Sequence, residues 1–100
     1  MALEVDILGM NIKKVLIIGS NSFSGSHCVN YFLESSDFKV VGISRSQEYP
    51  AIFLPYIYKK KKRPDRFIFY QMDINKDLRQ IINLIDREKP EVIINFAAQG

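Results

Sequence analysis

The 100-residue chain is poor in the residues that announce a specialised class of protein. It has one cysteine, Cys28, so no internal disulfide can form, and no cluster of metal-ligating residues accompanies it. Its 5 glycines and 4 prolines are ordinary for a folded chain, which excludes collagen, a linker or a disordered tract. No apolar run reaches the roughly 18–20 residues that a membrane-spanning helix needs. Glu4 and Asp6 interrupt the apolar part of Met1–Met10, making it a poor signal peptide. No internal repeat is present, and the only biased tract is a short lysine run. These absences lead to the expectation of a reducing, cytoplasmic setting. What is present, 47% hydrophobic and 25% charged residues, suits one small domain with one modest core.

The formal net charge of +3 has a local origin. Lys59, Lys60, Lys61, Lys62, Arg63, Asp65 and Arg66 carry +5 between them, which leaves −2 for the remainder. Such a run attracts phosphates or nucleic acid. No aromatic or glycine-rich pattern of an RNA-binding sheet goes with it, so nucleic acid is not the expected partner. The run reads as a solvated loop, with assistance to a nearby anionic ligand as its functional alternative.

Hydrophobic periodicity divides the chain into alternating elements. Lys14-Val15-Leu16-Ile17-Ile18 is a short β-branched run closed by Gly19, the pattern of a strand buried on both faces. Gly25, Cys28, Val29, Phe32 and Leu33 then follow helical spacing, and Ser35-Ser36-Asp37 ends that helix. Lys39–Ser44 reads as a second strand. Pro50, Pro55 and Pro64 break any long helix between residues 45 and 66, while Ile52, Phe53, Leu54, Tyr56, Ile57 and Tyr58 are too apolar for a solvated loop. That segment is expected to be a short helix or turn-rich excursion with an aromatic face under the sheet. Phe67–Met72 is a third strand. Asn75 is the expected N-cap of the next helix, with Asp77 in its first turn. Leu78, Ile81, Ile82 and Ile85 form the apolar stripe, Arg87 and Lys89 occupy the last turn, and Pro90 stops the helix. Val92–Phe96 is a fourth strand. Strands alternating with helices imply a parallel sheet with right-handed crossovers.

The turn between the first strand and first helix carries the strongest chemical signal. Gly19-Ser20-Asn21-Ser22-Phe23-Ser24-Gly25 is built of small residues that let backbone approach a pyrophosphate. The free N–H groups and positive dipole end of the following helix stabilise that charge. Gly19 allows the tight turn, and Gly25 lets helix and strand pack closely, as in dinucleotide-binding folds.

Ile18-Gly19-Ser20-Asn21-Ser22-Phe23-Ser24-Gly25-Ser26 resembles the T-G-x-x-G-F-x-G-x signature of the extended short-chain dehydrogenases/reductases, which modify nucleotide-activated sugars. Met72-Asp73-Ile74 resembles that family's aspartate–aliphatic pair after the third strand. Lys89-Pro90-Glu91-Val92-Ile93-Ile94-Asn95-Phe96-Ala97-Ala98-Gln99 resembles its K-P-D-x-V-I-x-x-A-A-Q segment. The Ala-Ala-Gln ending and Ile43-Ser44-Arg45-Ser46 are most similar to GDP-mannose 4,6-dehydratase-type members. The resemblance covers about residues 13 to 100. It departs at Ile18, where the family has threonine, and at Ser22, where it has glycine. The Ser22 hydroxyl is a candidate donor to phosphate. The implied fold is α/β, a Rossmann-type parallel sheet with helices on both faces, adjacent first and fourth strands and one bare edge.

Cofactor choice turns on the end of the second strand. An acid there binds the ribose hydroxyls of NAD, whereas an arginine accommodates the 2′-phosphate of NADP. The chain offers Ser44, Arg45 and Ser46, with no acid before Glu48, so NADP is expected and NAD is the second choice. The resemblance implies that Asp73 contacts adenine, with the Ile74 backbone continuing that edge; a helix-capping aspartate is the equal alternative. It implies that Ala97 and Ala98 are small so that the cofactor's ribose can lie on the fourth strand's end, where plain packing is the alternative.

Tyr56-x-x-x-Lys60 and Tyr58-x-x-x-Lys62 imitate the family's catalytic Tyr-x-x-x-Lys but fall before the third strand, in a lysine-rich stretch, and are not taken as catalytic. His27 and Cys28 are adjacent on a helix, face different directions and make no dyad. No catalytic residue is therefore expected here. Residues 1–12 are read as an N-terminal extension and 13–100 as the N-terminal part of a dinucleotide-binding domain. The expected whole is a homo-oligomeric nucleotide-sugar dehydratase or epimerase, with its proton-transfer pair beyond Gly100. The alternative is a non-catalytic module that binds or senses dinucleotides.

Overall fold

Side chains of a strand point alternately to its two faces, and the strands of this chain supply apolar residues to both. The computed structural model describes residues 13–60 and 64–97. In chain order it places β1 (Lys14–Ile18), α1 (Phe23–Ser35), β2 (Lys39–Ser44), a single 3₁₀ turn (Ala51–Phe53), α2 (Pro55–Tyr58), β3 (Phe67–Gln71), α3 (Leu78–Glu88) and β4 (Val92–Asn95). The four strands form one sheet in the order β3-β2-β1-β4, and every pairing is parallel. Val15, Ile17, Val40 and Phe67 face Val29 of α1 and Leu54 and Tyr56 of the β2–β3 connection. Leu16, Ile18, Val41 and Ile43 face Ile81 and Leu84 of α3. This is the expected α/β architecture, with helices on both faces and β4 beside β1. Because successive crossovers are right-handed, the reversal from β3 to β4 sends α3 to the opposite face.

The structure corrects several details. α1 begins two residues before Gly25, because Ser22 caps it: the serine hydroxyl accepts from the Gly25 N–H at 2.9 Å. Its buried arc includes Ser26 and Asn30, whereas Cys28 is only half-buried, because α2 packs against α1 as well as the sheet. The cap of α3 is Asp77, not Asn75; Asn75 lies in the preceding turn. Lys89 is not in the last helical turn but ends α3 in a left-handed conformation, φ 50°, just before Pro90. On α3, Ile81 and Leu84 are buried while Leu78 and Ile82 are exposed. Between β2 and β3 the expected aromatic face is only partly inside. Tyr56 is fully buried and packs on Phe67 with ring centroids 4.6 Å apart, but Ile52 and Phe53 are 74% and 65% exposed.

Among the described residues of the 59–66 run, one basic side chain faces inward. The Arg66 guanidinium donates to the carbonyls of Ser36 and Phe38 at 2.9 and 2.7 Å, and to that of Leu33. It thereby serves the carbonyl end of α1, where the helix dipole favours a cation. Lys60 lies 4.0 Å from Glu34, and Lys61, Lys62 and Arg63 lie outside the described residues. Charge-assisted bonds of this kind contribute about 1.5–3 kcal/mol each where partly buried. Arg66→Ala is therefore expected to lower stability by about 2 kcal/mol or more in urea unfolding, with Arg66→Lys intermediate because it forfeits the planar fork.

Across the sheet, Lys14 at the start of β1 donates to Glu88 at the end of α3 at 3.0 Å. This bond holds the Glu88 carboxyl below its usual 4.5, against the opposing effect of partial burial. The folded state thus keeps Glu88 ionised more readily than the unfolded chain does. The pair's contribution is complete above the ordinary carboxylate range and is lost as pH falls through the lower folded value. Urea midpoints measured from about pH 6 to about pH 3 should fall more steeply for the wild type than for Glu88→Gln.

Candidate functional site

In a parallel sheet all strands end on the same side, so the segments that follow them share one edge. Here that edge gathers the 19–25 loop after β1, Ser44–Ser46 after β2, Asp73 and Ile74 after β3, and Ala97 after β4. Gly19 adopts φ +84°, and its N–H donates to the Ile43 carbonyl at 2.7 Å. A Cβ on Gly19 would lie 2.8 Å from the backbone carbon of Phe96 and 2.9 Å from the nitrogen of Ala97. A Cβ on Gly25 would lie 2.0 Å from the Gly19 carbonyl oxygen. The two glycines therefore bring the exits of β1 and β4 and the first turn of α1 into direct backbone contact.

Ser22 is unstrained where the family has glycine: its φ of −66° is open to any residue. Its hydroxyl donates to the Gly19 carbonyl at 2.8 Å while accepting from Gly25 N–H. The single hydroxyl proton is thus given to the Gly19 carbonyl inside the loop. Ser26 N–H bonds Ser22 in the ordinary helical way. That leaves the N–H groups of Phe23 and Ser24 with no partner among the described residues, at the positive end of α1. The Phe23 side chain is exposed and lies against His27, with ring centroids 4.4 Å apart.

After β2, the three candidates differ in surroundings. Ser44 is buried, and its hydroxyl accepts from the Asn21 N–H at 3.0 Å, so it lies beneath the loop. Arg45 is exposed, and its guanidinium has no partner among the described residues. Ser46 is half-buried and accepts from the Asn21 amide at 3.0 Å. Asn21 was not among the sequence candidates. It is buried and bonded to the β2–α2 connection, a role that a polar residue in a small-residue loop does not advertise.

Asp73 lies in the turn between β3 and α3. One carboxylate oxygen accepts from Asn75 N–H at 2.8 Å, and its own N–H donates to Asp77 at 2.8 Å, so it organises the turn into α3. It does not cap the helix itself. Ile74 is exposed beside it. Ala97 is half-buried, and its N–H donates to the Asn95 side chain at 2.8 Å. Ala98 lies outside the described residues.

Tyr56 donates its buried hydroxyl to Glu48 at 2.6 Å and Lys60 faces Glu34, while Lys62 lies outside the described residues. Burial pushes the Cys28 thiol up, away from a reactive thiolate. Among the described residues no group of three His, Cys, Asp or Glu is placed to hold a metal ion, and no helix is long and apolar enough to cross a membrane.

The sequence model of the GDP-mannose 4,6 dehydratase family matches residues 16–100. The chain belongs to that family. The resemblance to extended short-chain dehydrogenases/reductases, and within them to GDP-mannose 4,6-dehydratase-type members, is borne out. No curated protein matches the chain by sequence. Among solved structures, UDP-glucuronic acid 4-epimerase from Bacillus cereus in complex with NAD is 31% identical, with TM-score 0.59 over 85% of this chain and 26% of its own. The PbgP3 protein from Burkholderia pseudomallei is 28% identical, with TM-score 0.67 over 88% of this chain and 23% of its own. The dTDP-glucose 4,6-dehydratase from Bacillus anthracis, in complex with NAD, shares the fold at 22% identity, with TM-score 0.69 over 87% and 27%. The chain spans about a quarter of the length of these proteins.

The contact at Gly25 gives a direct test of the loop. Gly25→Ala forces backbone apart and is expected to cost about 1–3 kcal/mol in urea unfolding, whereas Ser24→Ala, on the exposed side of the same turn, should be near neutral.

Proposed function

We propose that residues 13–100 are the N-terminal, dinucleotide-binding part of a nucleotide-sugar dehydratase or epimerase, and that residues 1–12 precede it as an extension. The observation that carries this reading is the pair of unpartnered N–H groups of Phe23 and Ser24 at the start of α1, beside two glycine positions that no Cβ can occupy. Such a cradle suits a pyrophosphate, and it stands between β1 and β4, where the strand order reverses. Family membership and the NAD held by the Bacillus cereus epimerase support a nicotinamide dinucleotide as the ligand.

NADP is the cofactor this chain favours. The Arg45 guanidinium is available for a 2′-phosphate, with the Ser46 hydroxyl next to it. The first acid after β2, Glu48, is half-buried and accepts the Tyr56 hydroxyl, which disfavours its use on ribose hydroxyls. Asp73 and Ile74 would border the adenine, and Ala97 and Ala98 would leave room for ribose. When bound, the nicotinamide supplies a reversible hydride acceptor for the sugar of a nucleotide-sugar substrate. The residues of this chain bind and orient it; the proton-transfer groups lie elsewhere in the protein.

Titrating the protein with NADP and NAD at fixed salt tests the reading. NADP should bind more tightly, and Arg45→Ala should weaken NADP by about tenfold or more while leaving NAD nearly unchanged. Tighter NAD binding that Arg45→Ala leaves intact overturns the NADP assignment. Binding of neither dinucleotide overturns the function.

A further inference from the structure

The side chain of Asn21 joins two loops that the cofactor reading uses at two places on one ligand, the pyrophosphate and the 2′-phosphate. It is only 5% exposed. Its amide nitrogen donates to the Gln47 carbonyl at 2.7 Å and to the Ser46 hydroxyl at 3.0 Å, with the Ser46 carbonyl at 3.5 Å. Its amide oxygen accepts from Tyr49 N–H at 3.3 Å. Its own backbone N–H donates to the Ser44 hydroxyl. Both chain neighbours of Arg45 are therefore bonded to Asn21.

The anchor is held on both sides. Ser20 on one side is fully buried against Gly42 of β2, and Ser22 on the other is the cap of α1. Any shift of the glycine loop thus carries the Asn21 amide, and with it the 46–49 backbone. Arg45 is the one charged side chain in this stretch with no protein partner of its own among the described residues, so its position follows that of its flanks.

We propose that Asn21 is a positioning residue for cofactor discrimination: it fixes the Arg45 segment relative to the phosphate-binding turn, so that one dinucleotide meets both at once. This rests on the dinucleotide-binding reading above. Asn21 does not touch the ligand in this role; it sets the span between the two places that do. Its value lies in pre-organisation, which lowers the ordering cost that Arg45 would otherwise bear on binding. A purely structural asparagine predicts something different: its loss would weaken both cofactors alike.

The test compares NADP and NAD dissociation constants for the wild type, Asn21→Ala, Arg45→Ala and the double variant. Asn21→Ala should weaken NADP by about tenfold and NAD by less than about threefold, contracting the preference. Arg45→Ala should then cost little further NADP affinity on the Asn21→Ala background, the signature of coupled residues. Equal losses for both cofactors, or an Arg45→Ala effect unchanged by Asn21→Ala, overturn the proposal. Should Asn21→Ala not fold, Asn21→Ser must give the same contraction, and an unchanged ratio there overturns it too. Amide hydrogen exchange of Asn21→Ala without cofactor adds an independent readout: the Tyr49 N–H, which donates to the Asn21 amide oxygen, should lose protection while β1 and β2 keep theirs, and unchanged protection at Tyr49 counts against the idea. Wild-type protein that binds neither dinucleotide defeats the parent reading, whereas an unshifted ratio defeats only this one.

Discussion

The backbone of Gly19 is pressed from two directions, and the rest of the site inherits its shape from that contact. On one side stands the exit of β4, on the other the first turn of α1, each closer than a side chain would permit. The exit of β4, far away in sequence, and the first turn of α1 are thereby held against the Gly19 loop at van der Waals distance without any side chain between them. What emerges at the surface is bare peptide: two N–H groups at the positive end of a 13-residue helix. An anion-binding surface made of backbone has no rotamers to order, which is why such turns bind phosphate at little entropic cost.

Much of this was legible in the sequence, and the reasons differ element by element. The strands were readable because β1 and β2 are buried on both faces and so appear as unbroken apolar runs. The glycine turn was readable because the need for Gly19 and Gly25 is steric and leaves a mark in residue type. Capping was harder. Asn75 and Asp77 are both good caps, and only the turn built by Asp73 decides between them. The buried arc of α1 was displaced because periodicity assumes a helix packed on one surface, whereas α2 adds a second. Arg66 reads as solvated charge until three backbone carbonyls are seen to converge on it.

Ser22 illustrates how a departure from a family pattern is absorbed. The family's glycine at this place suggests a constraint on backbone angle, yet the angle found is one that serine adopts freely. Serine then takes on a task that glycine cannot perform, closing the helix start on itself through Gly19 and Gly25. One helix N–H is removed from the surface in exchange for a firmer turn. The other two, of Phe23 and Ser24, keep no partner among the described residues, so the substitution narrows the exposed row of N–H groups without erasing it.

The capping arginine and the buried asparagine also have a joint consequence for the connection between β2 and β3. Asn21 ties its beginning to the amino end of α1, and Arg66 ties its end to the carboxyl end of the same helix. The intervening stretch is thus suspended from one rigid spar at both extremities, with Tyr56 pressed inward along its course. Changes at exposed positions of that stretch, such as Ile52 and Phe53, are confined within that suspension. They can remodel the outer rim of the domain while strand register and the loop edge beyond the strands stay where the spar holds them.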